Sequence, residues 1–418
     1  MLKGFTREEK SWMLYDWANS AFSAIVAAII LPIFFKEIAK GGGVADVDAT
    51  AYWGYATSFG TLICAVLAPF LGTLGDYKGM KKKLFTCFMM LGVISTFLLA
   101  STSSWKMILL FYVLGTLGFS GSCVYYDSFL PDITTDDRMD QVSALGYGLG
   151  YIGGSTIPLV ISLILIQFGG AIGISTAAAT KFSFILTAAW WLFFSVPMLK
   201  NVQQKHSITL EKHILSQTMR NMGNTLKMIL SNKSVFFFLI AYFFYIDGVG
   251  TIIHMATVFG DSCGLGSMDM MVILLVVQIV AFPFAIIYGK LAGKFGARKM
   301  ILFGIATYIL VCAVGYNLEK MTDFLALAVL VGTAQGGIQA LSRSFYGKII
   351  PAEYSSEYFG FFDVFGKFSA VIGPALFGLT AQLTGVTHYG ALAVMGMFIL
   401  GGAIMIFLVP KQIDKVHQ

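Results

Sequence analysis

Apolar stretches of about twenty residues, each long enough to cross a bilayer, follow one another from Met13 almost to the end of this 418-residue chain. Backbone polar groups placed in hydrocarbon must be hydrogen-bonded within their own segment, so such stretches fold as helices. Composition agrees: 57% of residues are hydrophobic and 12% charged, against about 25% charged in soluble domains. The pattern predicts an all-α integral membrane protein with twelve spans and no large soluble domain. The spans are read at 13–35, a second ending at 74, 84–100, 107–130, 141–168, 181–199, 234–257, 268–288, 300–316, 323–342, 357–383 and 389–409. Residues 131–140, rich in Asp and Thr, read as an inner loop. The polar, basic stretch 200–233 reads as a linker between two six-helix halves, 1–199 and 234–418, with an amphipathic segment near Leu226 to Leu230 at the membrane surface.

The halves share a phrase. GTLGDYKGMKKK runs from Gly72 to Lys83, and GKLAGKFGARKM follows 217 residues later, from Gly289 to Met300. Each copy sits between two apolar stretches. A duplicated loop in a duplicated hydropathy pattern is the mark of repeat-built carriers, which hold a solute between two halves that rock against each other. Small residues at Gly72, Gly79, Gly289 and Gly296 allow close helix approach, and Asp76 is placed to cap or ion-pair at a helix terminus. Lys81, Lys82 and Arg298 hold the loops on one side, and with Gly72, Asp76, Gly79, Gly289, Gly293 and Gly296 they read as a gating loop. The copies differ at one telling place: Gly293 stands where the first copy has Asp76, so any latch is one-sided.

The distribution of positive charge sets the expected topology. Of 28 Lys and Arg, 22 fall in the termini, the linker and the loops on that same side; five fall on the other, and Lys367 lies inside a span. Lys and Arg are retained in the cytoplasm, so both termini are expected there, in a plasma-membrane protein. The opening MLKGFTREEKSWMLYDW, interrupted by carboxylates, reads as the lead-in to a first span and not as a cleavable signal peptide. The net charge of +6 is loop charge and does not indicate nucleic acid. Five scattered cysteines, Cys64, Cys87, Cys123, Cys263 and Cys312, form no metal-ligand spacing.

The spacing Gly72, Asp76, Gly79 followed by basic residues resembles the loop signature of the major facilitator superfamily, where the aspartate is understood as a latch for one conformation. Longer phrases narrow the resemblance. YDWANSAF (Tyr15 to Phe22), FYIDGVGTII (Phe244 to Ile253), GGIQALSRSFYGKIIP (Gly336 to Pro351) and EYFGFFDVFGKFSAVIGPALFG (Glu357 to Gly378) resemble the vacuole-effluxer-like branch. That branch takes its name from a fungal vacuolar protein that releases amino acids. The resemblance implies a twelve-helix facilitator fold and amino-acid export. YYDSFLPDI (Tyr125 to Ile133) is also similar to a glycoside–cation symporter group, which keeps a sugar substrate open.

A charge in hydrocarbon is costly unless it faces protein or water, so intramembrane polar residues mark candidate sites. Asp247, with Thr251 and His254 on the same helical face, reads as a proton- or cation-coupling carboxylate, as an anchor for a substrate ammonium, or as a buried acid paired structurally. Asp16, Asn19, Ser20 and Ser23 form a stripe on the first span, where Asp16 reads either as a helix cap or as a site residue. Asp363 and Lys367 stand at i,i+4, an order that favours an ion pair. Lys367 is also the obvious partner for a substrate carboxylate, with Asp247 facing the ammonium. Asp127 and Arg343 read as gating contacts or as interfacial anchors, and Tyr125, Tyr126, Gln278, Gln335 and Gln339 as cavity lining or packing. No P-loop, zinc helix or nucleophile elbow is present. The expected protein is therefore not an enzyme and uses no cofactor and no metal. It is expected to act as a monomer in the lipid bilayer, moving a small polar solute, an amino acid or short peptide, outward by alternating access with proton or sodium coupling. A sugar symporter and a non-transporting receptor are the alternatives.

Overall fold

The architecture was analysed in a computed structural model, which describes residues 3–209, 214–262, 267–316, 321–386 and 388–410; the side chains at 214–216, 254–262, 267–269, 271, 321, 369–371 and 388 are not described. Among the described residues twelve helices are long and apolar enough to cross a membrane. They are α1 (Arg7–Gly41), α2 (Asp46–Asp76), α3 (Met80–Leu99), α4 (Trp105–Ser128), α5 (Asp136–Ile172) and α6 (Thr176–Asn201). The second set comprises α7 (Lys233–Ser262), α8 (Ser267–Phe295), α9 (Ala297–Gly315), α10 (Met321–Ile349), α11 (Ser355–Thr384) and α12 (His388–Phe407).

Several helices outrun their expected spans. The segment read as a loop before the fifth span is helical: a single turn, Leu130–Ile133, precedes α5, which starts at Asp136. Its acids sit at a helix start, where negative charge meets the positive end of the helix dipole. Hydropathy reports only the part of a helix in hydrocarbon and misses polar turns beyond it. Helices α1 and α5 each contain a π-helical stretch, Phe22–Ile29 and Gly150–Thr156, a form often found at functional sites. At α5 the Trp17 ring lies against Gly153, and Ser20 packs on Gly150 and Gly154.

Two buried apolar clusters divide the bundle. One is built from residues between Trp12 and Val202, the other from residues between Ile229 and Val409. The two six-helix halves meet mainly along α2 with α11, α5 with α8, and α5 with α10.

The described residues of the linker are structured. Ile208 pairs with the first basic phrase through Ile208 N–H to the Asp76 carbonyl (2.9 Å) and Lys78 N–H to the Ile208 carbonyl (3.1 Å). Gln204 donates to the Gly75 carbonyl (3.1 Å) and accepts from Gly79 N–H (2.9 Å), so it satisfies carbonyls that the end of α2 leaves open. Asp132 accepts the backbone N–H groups of Lys205 (3.0 Å) and His206 (2.8 Å) on one oxygen and the buried Lys81 ammonium (2.9 Å) on the other. The amphipathic stretch is longer than expected, a helix over Ile214–Ser231. Ile229 enters the second core, while Met219, Leu226, Met228 and Leu230 are exposed, as suits a helix lying at a membrane surface.

Asp132→Ala is expected to release the linker, because a buried ammonium and two backbone N–H groups lose their acceptor together; breaking a buried pair costs about 3–5 kcal/mol. Limited trypsin cleavage after Lys205 should accelerate at least about tenfold. An unchanged rate would mean that Asp132 does not hold the linker.

Candidate functional site

The seam between the halves is tied together at the face that carries the linker. Asp76, fully buried at the end of α2, accepts Ser356 N–H (2.8 Å) and Glu357 N–H (3.0 Å) with its two carboxylate oxygens. These are free donors in the first turn of α11, where a carboxylate is favoured by hydrogen bonding and by the helix dipole. The approach needs glycine. A β-carbon on Gly72 would overlap the Ser356 carbonyl and the Glu357 backbone, and one on Gly360 would overlap the Ala68 carbonyl. Lys81 reaches across as well, donating to Ser355 Oγ (2.8 Å), while it also donates to the Ser128 carbonyl of its own half (3.1 Å). Gly79 (φ 75°) and Gly296 (φ 89°) make the positive-φ turns into α3 and α9.

The second phrase behaves differently. Gly289 packs on Ala144 and the Asp140 carbonyl of α5, but Gly293 is exposed and offers no latch. Arg298, grouped with the gating residues from its motif position, donates to the Met405 (2.7 Å) and Ile406 (3.0 Å) carbonyls. It fastens the end of α12 within its own half. Lys82 likewise caps the end of α6 through the Val202 carbonyl (2.8 Å).

Deeper along the seam, Arg343 of α10 is 2% exposed and joins four helices. Its guanidinium donates to Asp127 Oδ1 of α4 (2.9 Å), Asp16 Oδ2 of α1 (3.2 Å), and Ser143 of α5 at Oγ (2.9 Å) and its carbonyl (3.1 Å). Three rings enclose it: Tyr147 at 4.3 Å, Trp12 at 4.6 Å and Tyr126 at 5.3 Å from the guanidinium carbon. Tyr126 also donates to Asp16 Oδ2 (2.7 Å) and stacks on Trp12. Only arginine offers a planar fork of five donors that also stacks on aromatic faces. The burial rules out interfacial anchoring for Arg343, since an anchor keeps its charged head in water. It also removes the helix-cap reading of Asp16: Thr6 caps α1, accepting Glu9 N–H in a capping box, and Asp16 lies more than two turns further in. Below Arg343, Asp140 accepts Ser344 Oγ–H (2.6 Å) and the Lys348 ammonium (2.7 Å). Above it, Tyr151 donates to Gln339 (3.1 Å).

Asp363 and Lys367 form the expected ion pair on α11. Their side chains are 23% and 17% exposed although they stand well inside a span. The helix that carries them, α11, packs against α2 and α4 of the first half. Asn19 is buried beside Cys123, with Nδ2 to Sγ at 3.8 Å.

Asp247 is elsewhere. Fully buried on α7, it takes Gly373 N–H of α11 on both oxygens (3.0 and 2.8 Å), with Thr251 Oγ 3.5 Å away. Gly373 follows Lys367 by six residues, roughly 240° around a helix, so Asp247 and Lys367 engage different faces of α11. The structure therefore does not bring together the acid and base expected to grip one solute. The side chain of His254 lies outside the described residues. Thr251 borders a cavity of about 120 Å³ inside the second half, walled by aliphatic side chains with Phe324 and Phe377 and carrying Gln278 and Gln335.

A twelve-helix bundle in two halves, with a motif aspartate seated on the start of its eleventh span and charged groups gathered along the seam, defines a multi-pass membrane transporter of the major facilitator type. The chain belongs to the family described as vacuole effluxer Atg22 like, which it matches over residues 6–416. It is similar to an uncharacterized MFS-type transporter, YxiO, of Bacillus subtilis (strain 168), with 48% identity over 100% of this chain and 98% of that protein. It is also similar to autophagy-related protein 22 of Eremothecium gossypii, 24% identical over 90% of this chain and 86% of that one. Among solved structures, the human organic anion transporter MFSD10 superposes with a TM-score of 0.74 at 12% identity, covering 96% of this chain and 99% of its own. FucP in the outward conformation gives 0.72 at 13% identity, covering 98% and 99%. At these identities the likeness shows the fold alone.

Proposed function

We propose that this protein exports small zwitterions, amino acids or short peptides, across the plasma membrane by alternating access, and that its linker face is cytoplasmic. The chain divides for this purpose into halves 1–199 and 234–418, joined by 200–233. The observation that carries the reading is the partly open Asp363–Lys367 pair on α11, a helix that packs against α2 and α4 of the first half. A zwitterion held in the seam before release to the opposite face would find a cation for its carboxylate in Lys367 and anions for its ammonium in Asp363 and Asp127. This replaces the Asp247–Lys367 pair. The ties at Asp76, Asp140 and Arg343 close the cytoplasmic face, which corresponds to an outward-directed state.

Asp247 is assigned to coupling. Among the described residues its bonded partners are a backbone N–H and a hydroxyl, with no cation, and a buried carboxylate so placed can cycle a proton without breaking an ion pair. In proteoliposomes, Lys367→Met is expected to reduce exchange of labelled amino acids at least about tenfold. Asp247→Asn, which keeps an acceptor for Gly373, should retain exchange and lose accumulation driven by a pH gradient. Full exchange in Lys367→Met would sink the zwitterion site, and gradient-driven accumulation in Asp247→Asn would remove Asp247 from coupling. Counterflow of sugars in place of amino acids would favour the acids, amides and rings at Asp16, Asp127, Tyr151 and Gln339 as a polyol site.

A further inference from the structure

The two basic phrases occupy matching places on the linker face, yet only the first seam is filled. There Asp76 seats its own carboxylate against the facing helix. At the second seam the corresponding residue is Gly293, and an open groove of about 490 Å³ runs between α8 and α5, lined by Gln141, Ile287, Lys290, Leu291, Gly293 and Lys294. Lys290 and Lys294 stand one helical turn apart on one stripe of α8, and Ile287 and Leu291 lie on the same stripe, displaced three residues toward the membrane. Both lysines are exposed, and neither has an ion-pair partner among the described residues. Asp140 of α5, the residue before Gln141, is already engaged by Lys348 and Ser344. The Gln141 amide stands opposite from the other half, with Nε2 close to where a β-carbon on Gly293 would lie.

We propose that this groove binds the phosphate head of an anionic phospholipid from the adjoining leaflet. The two ammonium groups and the Gln141 amide meet the phosphate oxygens, and the acyl chains run along Ile287 and Leu291. Basic pockets between spans on the cytoplasmic side suit such head groups. The lipid supplies from outside the anion that the second phrase lacks. Because Gln141 belongs to one half and the lysines to the other, a bound head group bridges the seam and favours its closed state. The proposal rests on the cytoplasmic placement of the linker face and is independent of the transported solute.

Native mass spectrometry of the purified full chain with equimolar phosphatidylglycerol and phosphatidylcholine tests it. Wild type should retain phosphatidylglycerol in preference. Lys290→Gln with Lys294→Gln should weaken that retention about thirtyfold, from roughly 1 kcal/mol per lysine, whereas Lys290→Arg with Lys294→Arg should keep it. Equal retention by the glutamine variant, or no preference in wild type, overturns the site. Displacement of phosphatidylglycerol by millimolar inorganic phosphate would show that the groove takes a soluble anion, and would overturn the lipid assignment.

Discussion

Arg343→Gln is expected to abolish transport, by at least about a hundredfold. The guanidinium joins α10 to α1, α4 and α5 and neutralises Asp16 and Asp127. Both acids are then left in a poorly hydrated seam with no counter-charge, a loss of about 3–5 kcal/mol for a buried pair. Alternating access requires the linker face to close, and Arg343 alone makes four of the hydrogen bonds across the seam. A lysine preserves the charge but supplies neither the fork nor the stacking on Trp12, Tyr126 and Tyr147. Arg343→Lys should therefore remain monodisperse and still lose at least about tenfold in flux. Combining Arg343→Gln with Asp127→Asn should recover yield of folded protein without recovering transport, which separates the gate from the fold. Wild-type flux in Arg343→Gln, normalised to folded protein, would show that the cluster is not part of the transport cycle.

The second large effect is steric. Gly72→Leu places a side chain where the α11 backbone lies, so α2 and α11 can meet only after moving apart. Packed interfaces do not yield by small amounts; they repack or separate. The variant is expected to stay open at the linker face. A cysteine substituted at Ser356, which is fully buried in wild type, should react with an impermeant maleimide at least about tenfold faster in the Gly72→Leu background, in an otherwise cysteine-free chain. Net transport should fall to background because one of the two end states is no longer reached. Slow labelling with intact transport would mean that the Asp76 seat is not the closing contact.

The spans were legible because hydrocarbon imposes a length and an apolar composition that the chain displays openly. The Asp363–Lys367 pair was legible for a similar reason: i,i+4 on a helix is a local relation. Asp76 was legible through its motif, although its partners, two backbone N–H groups about 280 residues away, carry no side-chain signal. What the sequence conceals is the rotation of each helix and which helices it meets. Asp247 and Lys367 looked like one binding pair because both are intramembrane charges, yet they engage different faces of α11. Arg343 read equally as a gating contact or an anchor because it lies near a span end. Its burial depends on Trp12, Tyr126 and Tyr147 from helices distant in the chain. A signal was available in retrospect: three charges, Asp16, Asp127 and Arg343, stand at similar depth from the same face and balance to within one unit. Arg298 gives the opposite lesson. Motif duplication suggested a gating role, but Arg298 bonds within its own half and fastens the end of α12.

Counterflow into proteoliposomes tests the account most directly. Vesicles carrying the wild-type protein are loaded with unlabelled amino acids, labelled ones are added outside, and uptake is followed without any ion gradient. Transient accumulation above equilibrium, absent from vesicles carrying Arg343→Gln, is the expected result. No accumulation by folded wild-type protein, with any of the pooled amino acids, would contradict the assignment of a zwitterion carrier.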